Sequence, residues 1–176
     1  MRISVLATRL AEGIVKEAPE FSNRVGRIRH TLVFLLNIVP IILLTTIIGL
    51  VTGRLIEMWT VLLSFAILRQ VSGGIHMGTS EMCILVTTIG ATVLSFAEFH
   101  LAAIHIMTSI SLILVLIYAP SRIEGRTLFP KKYFKYLKIA AAILILSNFF
   151  IQSSVIAAAF LAQSFMIIRL KGDESG

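Results

Sequence analysis

The chain has 176 residues, of which 57% are hydrophobic and only 14% charged, and its mean hydropathy is +0.93. That composition lies far from a soluble domain's and points to a polytopic membrane protein with no separate soluble domain. The net charge of +7 is then a matter of orientation and lipid headgroups rather than a nucleic-acid footprint, and a single cysteine excludes an internal disulfide.

Residues 1–30 carry six Lys and Arg but no compact apolar stretch ending in small residues, so no cleavable signal peptide is expected. Within them Ile3, Leu6, Leu10 and Ile14 recur at helical spacing beside Arg2, Arg9 and Lys16, with Pro19 soon after. The pattern predicts a short amphipathic helix lying on the inner leaflet. Six apolar runs follow, at 31–51, 55–68, 82–97, 101–119, 139–151 and 155–168, and several approach the roughly 20 residues needed to cross a bilayer. The second and fifth are short. An alternative has four full spans plus re-entrant pieces, whose backbone would need protein or water around it. The expected fold is all-α: one membrane domain over 1–176, with six transmembrane helices and the N-terminal interfacial helix.

Charge supports six spans. With both termini inside, fifteen of the sixteen Lys and Arg fall in cytoplasmic segments and only Arg54 lies outside, as the positive-inside bias requires. A five-span arrangement would put Arg169 and Lys171 on the wrong side. Lys131, Lys132, Lys135 and Lys138 interleave with Tyr133, Phe134 and Tyr136, a set that suits anionic headgroups and an aromatic belt. A plain solvated loop and a substrate-docking role are both open for it.

The polar insert between the second and third spans carries the chemistry. It reads Arg69-Gln70-Val71-Ser72-Gly73-Gly74-Ile75-His76-Met77-Gly78-Thr79-Ser80-Glu81-Met82-Cys83. A thiol attacks as its thiolate and needs a base, a positive environment or a helix N-terminus. Thr79 or Ser80 is an N-cap candidate for the third span. Cys83 would then sit in the first turn, where the dipole favours negative charge and backbone N–H groups could bind an oxyanion. His76 stands seven residues earlier, about 10.5 Å away on a continuous helix and too far for proton transfer. Gly73, Gly74 and Gly78 supply a break that would let it fold back. Arg69 is a candidate for holding a carboxylate or an oxyanion, or a snorkelling boundary residue. Glu81 either orients the imidazole or simply favours the first turn; Gln70 and Ser72 are further orienting candidates. The competing reading of Cys83 is an inert, buried small hydrophobe. His30, His100 and His105 lack a second histidine and carboxylate at metal-ligand spacing, so neither a metal nor another cofactor is expected.

The run Arg69…Gly73-Gly74-Ile75-His76…Thr79…Cys83, between short spans of a small basic membrane protein, resembles the accessory gene regulator protein B (AgrB) family. The six-span layout, the amphipathic N-terminal segment and Tyr118-Ala119-Pro120 leading into a basic loop fit too. The resemblance implies a membrane-embedded cysteine endopeptidase (a thiol protease, hence a hydrolase) at the bacterial cell membrane, acting in quorum sensing. Cys83 would be the nucleophile and His76 its base, with Arg69, Gly73, Gly74, Ser80 and Glu81 shaping the site. The implied substrate is a short propeptide with an amphipathic N-terminal segment and an acidic C-terminal tail. Cleavage releases the tail and leaves a thioester, and an internal thiol or hydroxyl closes a thiolactone or lactone autoinducing peptide. Thioester exchange is nearly isoenergetic, so no nucleotide is needed if water is kept away. A homodimer fits the family and the small residues Ala157, Ala158 and Ala159. One departure is Ser121-Arg122-Ile123-Glu124-Gly125-Arg126, where the family has a more acidic, lysine-proline-containing segment; propeptide specificity does not carry over from a relative.

Three rivals remain. A transporter or permease subunit would use polar residues and glycines along a substrate path, yet the spans hold almost no charge and no two halves repeat. A lipid phosphotransferase needs carboxylates for magnesium, and the only aspartate is Asp173. A serine peptidase would use Ser80 or Ser72 with His76.

Overall fold

The computed structural model describes residues 2–74, 79–121 and 133–168. Its architecture is all-helical, with seven α-helices and no strand among the described residues. They are α1 (Arg2–Glu17), α2 (Val25–Thr52), α3 (Leu55–Ser72), α4 (Ser80–Ser95), α5 (Leu101–Tyr118), α6 (Phe134–Ile151) and α7 (Ser154–Met166), with a 3-10 turn over Pro19–Arg24. Four of them, α2, α3, α5 and α6, are long and apolar enough to cross a membrane.

Helix boundaries depart from the apolar runs in an instructive way. The second and fifth runs, expected to be short, become helices of 18 residues each. Backbone hydrogen bonding carries α3 on through Arg69–Ser72 and starts α6 before its apolar core, because helix length is not set by hydropathy. The short helices are instead α4, with 16 residues, and α7, with 13. At 1.5 Å per residue α7 is only about 20 Å long, yet Ala157–Phe160, Gln163 and Ser164 are all buried. It packs chiefly between α3 and α5. Leu68, Val115, Ile145, Phe160 and Ile167 form the main apolar cluster around it. Ala157, Ala158 and Ala159 are 0%, 4% and 0% exposed, so the alanine stripe is used up inside the chain. It is not a free face for a second copy, and a homodimer keeps only the resemblance as its support.

Hydrogen bonds at the two ends show that α2–α7 run alternately up and down. At one end Gly53, with φ 69°, closes α2 in the left-handed region that glycine adopts without strain. The adjacent Arg54 reaches the α4–α5 turn, donating to Ser95 O at 3.2 Å and pairing with Glu98 at 2.7 Å. Phe99 N in that turn donates to Ser154 Oγ at 3.0 Å, which brings the α6–α7 turn to the same end. Asn148 makes that turn tight: its Oδ1 accepts from Ser153 N at 3.2 Å and its Nδ2 donates to Thr108 Oγ1 at 3.1 Å. At the opposite end Gly74 N donates to Ser121 O at 3.0 Å and Ser121 N to Ser72 O at 2.9 Å. The exit of α3 therefore lies beside the exit of α5.

Helix α1 packs mainly on α2 and touches α4. It turns Ala7 and Ala11, both fully buried, toward its neighbours. Leu6, Leu10 and Ile14 of the predicted apolar stripe are 48%, 43% and 43% exposed. The alanines beside the stripe make the protein contact and leave the stripe itself outward.

Candidate functional site

Helix α4 begins where the polar insert ends. Thr79 is its N-cap, in extended conformation, and its side-chain oxygen accepts from Met82 N at 3.3 Å. Cys83 follows in the first turn, a free, partly exposed thiol. Its own N–H donates to Thr79 O at 3.2 Å. The cap thus engages the Met82 and Cys83 N–H groups, and an oxyanion would have to find its donors elsewhere.

The cationic candidate, Arg69, lies in the last turn of α3. Arg69 and Cys83 line the same cavity, of about 250 Å³, between α2, α3, α4 and the end of α7. Apart from these two and Thr87 the walls are apolar, with Ile38 and Ile41 from α2, Trp59 and Phe65 from α3, and Met166 from α7. Arg69 Nη1 lies 3.7 Å from Met166 Sδ, and the guanidinium carbon sits 5.8 Å from the Phe65 ring centroid. Aromatic and sulfur neighbours suit a weakly hydrated guanidinium better than they would an ammonium.

Gly73 and Gly74 carry the chain out of α3. Gly73 has φ 74° and ψ −147°, and its N–H donates to Arg69 O at 2.9 Å. Gly74 has φ +132°, and a Cβ there would stand 3.2 Å from Met166 O and 3.3 Å from Gln163 Nε2. Both backbone angle and space therefore demand glycine. Gln163, fully buried on α7, donates to Gly73 O at 2.7 Å and to Ser72 Oγ at 3.2 Å. It clamps the α3 exit, and sequence reasoning missed it; the available signal was a lone amide inside an alanine-rich apolar run. Ser72, one orienting candidate, is buried and taken up by this clamp.

Two other predicted residues have partners of their own. Ser80 Oγ accepts from Asn37 Nδ2 of α2 at 3.3 Å. Glu81 is exposed, and its Oε1 accepts from Ile3 N at 3.3 Å, so it ties α4 to the start of α1. His76 lies outside the described residues, as do most of the basic loop, including Lys131 and Lys132, and the segment 122–126. Among the described residues no three His, Cys, Asp or Glu side chains gather as a metal-binding group.

A family model described as accessory gene regulator B matches residues 7–170, nearly the whole chain. The chain belongs to the accessory gene regulator B family. Comparison with curated proteins and with solved structures gave no significant match. Membership makes this AgrB chain a membrane protein with a role in the processing of a quorum-sensing peptide during autoinducer maturation. The matched span includes every site residue singled out in the sequence, Arg69, Gly73, Gly74, His76, Ser80, Glu81 and Cys83.

Proposed function

We propose that this AgrB protein is a membrane-embedded cysteine endopeptidase that trims and cyclises a short propeptide. The observation that carries the reading is the convergence of Cys83 and Arg69 on one apolar cavity, beside a glycine turn that leads toward His76. Cys83 as thiolate attacks the carbonyl before the propeptide's acidic tail. Arg69 offers the charge that stabilises the resulting oxyanion. His76, having accepted the thiol proton, returns it to the departing amine, and the tail leaves with a new N-terminus. The rest of the peptide stays on Cys83 as a thioester. An internal thiol or hydroxyl attacks that thioester, a thiolactone or lactone closes, and Cys83 regains its proton. Apolar walls keep water from the acyl-enzyme.

The up-and-down order of α2–α7 and the Lys/Arg asymmetry support six crossings, with both termini and the site at the cytoplasmic face. The short helices α4 and α7 are compatible with crossing because they are flanked by longer ones. Helix α1 then lies at the inner leaflet with Leu6, Leu10 and Ile14 toward lipid, where an amphipathic propeptide would also be found.

The acyl-enzyme supplies the test. The protein is purified rapidly, at acid pH, from cells that contain its peptide partner, and digested for mass spectrometry. A peptide adduct on Cys83 that neutral hydroxylamine removes is expected, with no adduct in Cys83→Ala. Continued release of trimmed peptide by Cys83→Ala would contradict the reading.

A further inference from the structure

We propose that the cavity beside Cys83 is the subsite for a large apolar side chain on the residue whose carbonyl is attacked, so that the enzyme selects its cleavage point by the acyl side. The proposal rests on Cys83 being the nucleophile. Its basis is the shape and chemistry of the space that Cys83 lines.

The cavity starts at Cys83 and Arg69 near the α3 exit and extends along α3 as far as Trp59. Ten residues of helix separate Arg69 from Trp59, a depth of about 15 Å. A second cavity of about 100 Å³ shares Leu62, Phe65 and Met166 with it and continues between α3, α4 and α7. Together they offer far more room than a water site needs, with walls that give water almost no partners. Such a space takes aliphatic or aromatic groups and rejects charged ones.

The acyl side is favoured over the leaving side by the order of events. After the first step the acyl group is covalently fixed to Sγ, so its own side chain stays within a few bonds of the cavity mouth. Burial of that side chain persists until the ring closes and keeps the space beside the thioester dry. Burial of the leaving fragment would instead slow its departure and then open the cavity to water. An acidic tail also has no place among Trp59, Leu62 and Phe65, and among the described residues Arg69 is the only charged one lining the cavity.

The test uses acetyl-dipeptidyl chloromethyl ketones that differ only in the residue bearing the reactive group: Phe, Leu, Ala or Glu. The thiolate displaces chloride, and the alkylated Cys83, the sole thiol, is followed by intact mass. Iodoacetamide, which has no side chain, reports the thiol alone. Phe and Leu reagents are expected to react at least about tenfold faster than Ala, with Glu slowest. Leu62→Trp, which fills the wall common to both cavities, should abolish the Phe preference. Leu62→Ala should move it toward a naphthylalanine reagent; a folding defect would instead slow all reagents in parallel. Rapid reaction with iodoacetamide but equal rates for all four side chains overturns the subsite and leaves the nucleophile standing. A Cys83 inert to every reagent overturns the peptidase reading, and the subsite with it.

Discussion

At the residue scale the site combines one thiol, one guanidinium and a turn that only glycine can make. Arg69 lies against Phe65 and Met166 and lines a largely apolar cavity with Cys83, so a residue of the same shape does not replace its charge. Arg69→Met keeps the volume and removes the charge, and it should lower turnover by about a hundredfold, the scale of losing one oxyanion donor. Single-turnover release of the peptide tail measures it, and Arg69→Lys should recover part of the loss. Gly74→Ala meets both an unfavourable φ and the Met166 carbonyl. It should destabilise the fold by about 1–3 kcal/mol, read as a lower denaturation temperature in detergent. A first turn holding Cys83 and capped by Thr79 or Ser80 was legible in the insert, because capping is a local rule, and the cap is Thr79. The cavity was not. It is made of Ile38, Trp59 and Met166, residues far apart in sequence that carry no signal until the helices pack.

The six apolar helices and their order were legible from hydropathy, whereas their ends, and which of them reach span length, were not. Apolar runs report what faces lipid, while α3 and α6 extend into polar sequence as long as backbone bonds can be made. Nor did hydropathy single out α7 as the buried centre of the bundle; its alanines suggested a partner chain and serve internal packing instead. What pins α7 is polar: Asn148 at its entry and Gln163 at the α3 exit. Asn148→Leu removes the acceptor of Ser153 N and the donor to Thr108. It should cost about 1 kcal/mol, the upper part of the range for hydrogen bonds inside membranes, measured by unfolding in mixed micelles. Thr79→Ala should cost a similar amount through loss of the α4 cap. The same change should also slow Cys83 alkylation, since it loosens the turn that holds the thiol.

For the whole molecule, the distribution of charge and the bonds at the two ends of the bundle give the same two-sided picture. Arg54 and Glu98 pair at one end; Arg69, the glycine turn and Cys83 gather at the other. In a Cys83→Ala background, Glu98→Cys should react with a membrane-impermeant maleimide in intact cells, whereas Glu17→Cys should react only after permeabilisation. The proposed orientation would put Arg69, the glycine turn and Cys83 in the reducing compartment, where a free thiol persists. Family membership and the helical bundle together describe an all-helical membrane protein with an apolar cavity lined by Cys83 and Arg69; the proposed function makes Cys83 its reactive group. The most direct test of that account is the rate of Cys83 alkylation by iodoacetamide in nanodiscs near pH 7, compared between the unmodified protein and His76→Ala. An ordinary thiol is only a few per cent ionised at that pH. The account predicts that Cys83 reacts at least about tenfold faster than a free cysteine and that His76→Ala removes most of the advantage. A Cys83 that reacts no faster than free cysteine, with or without His76, would contradict it.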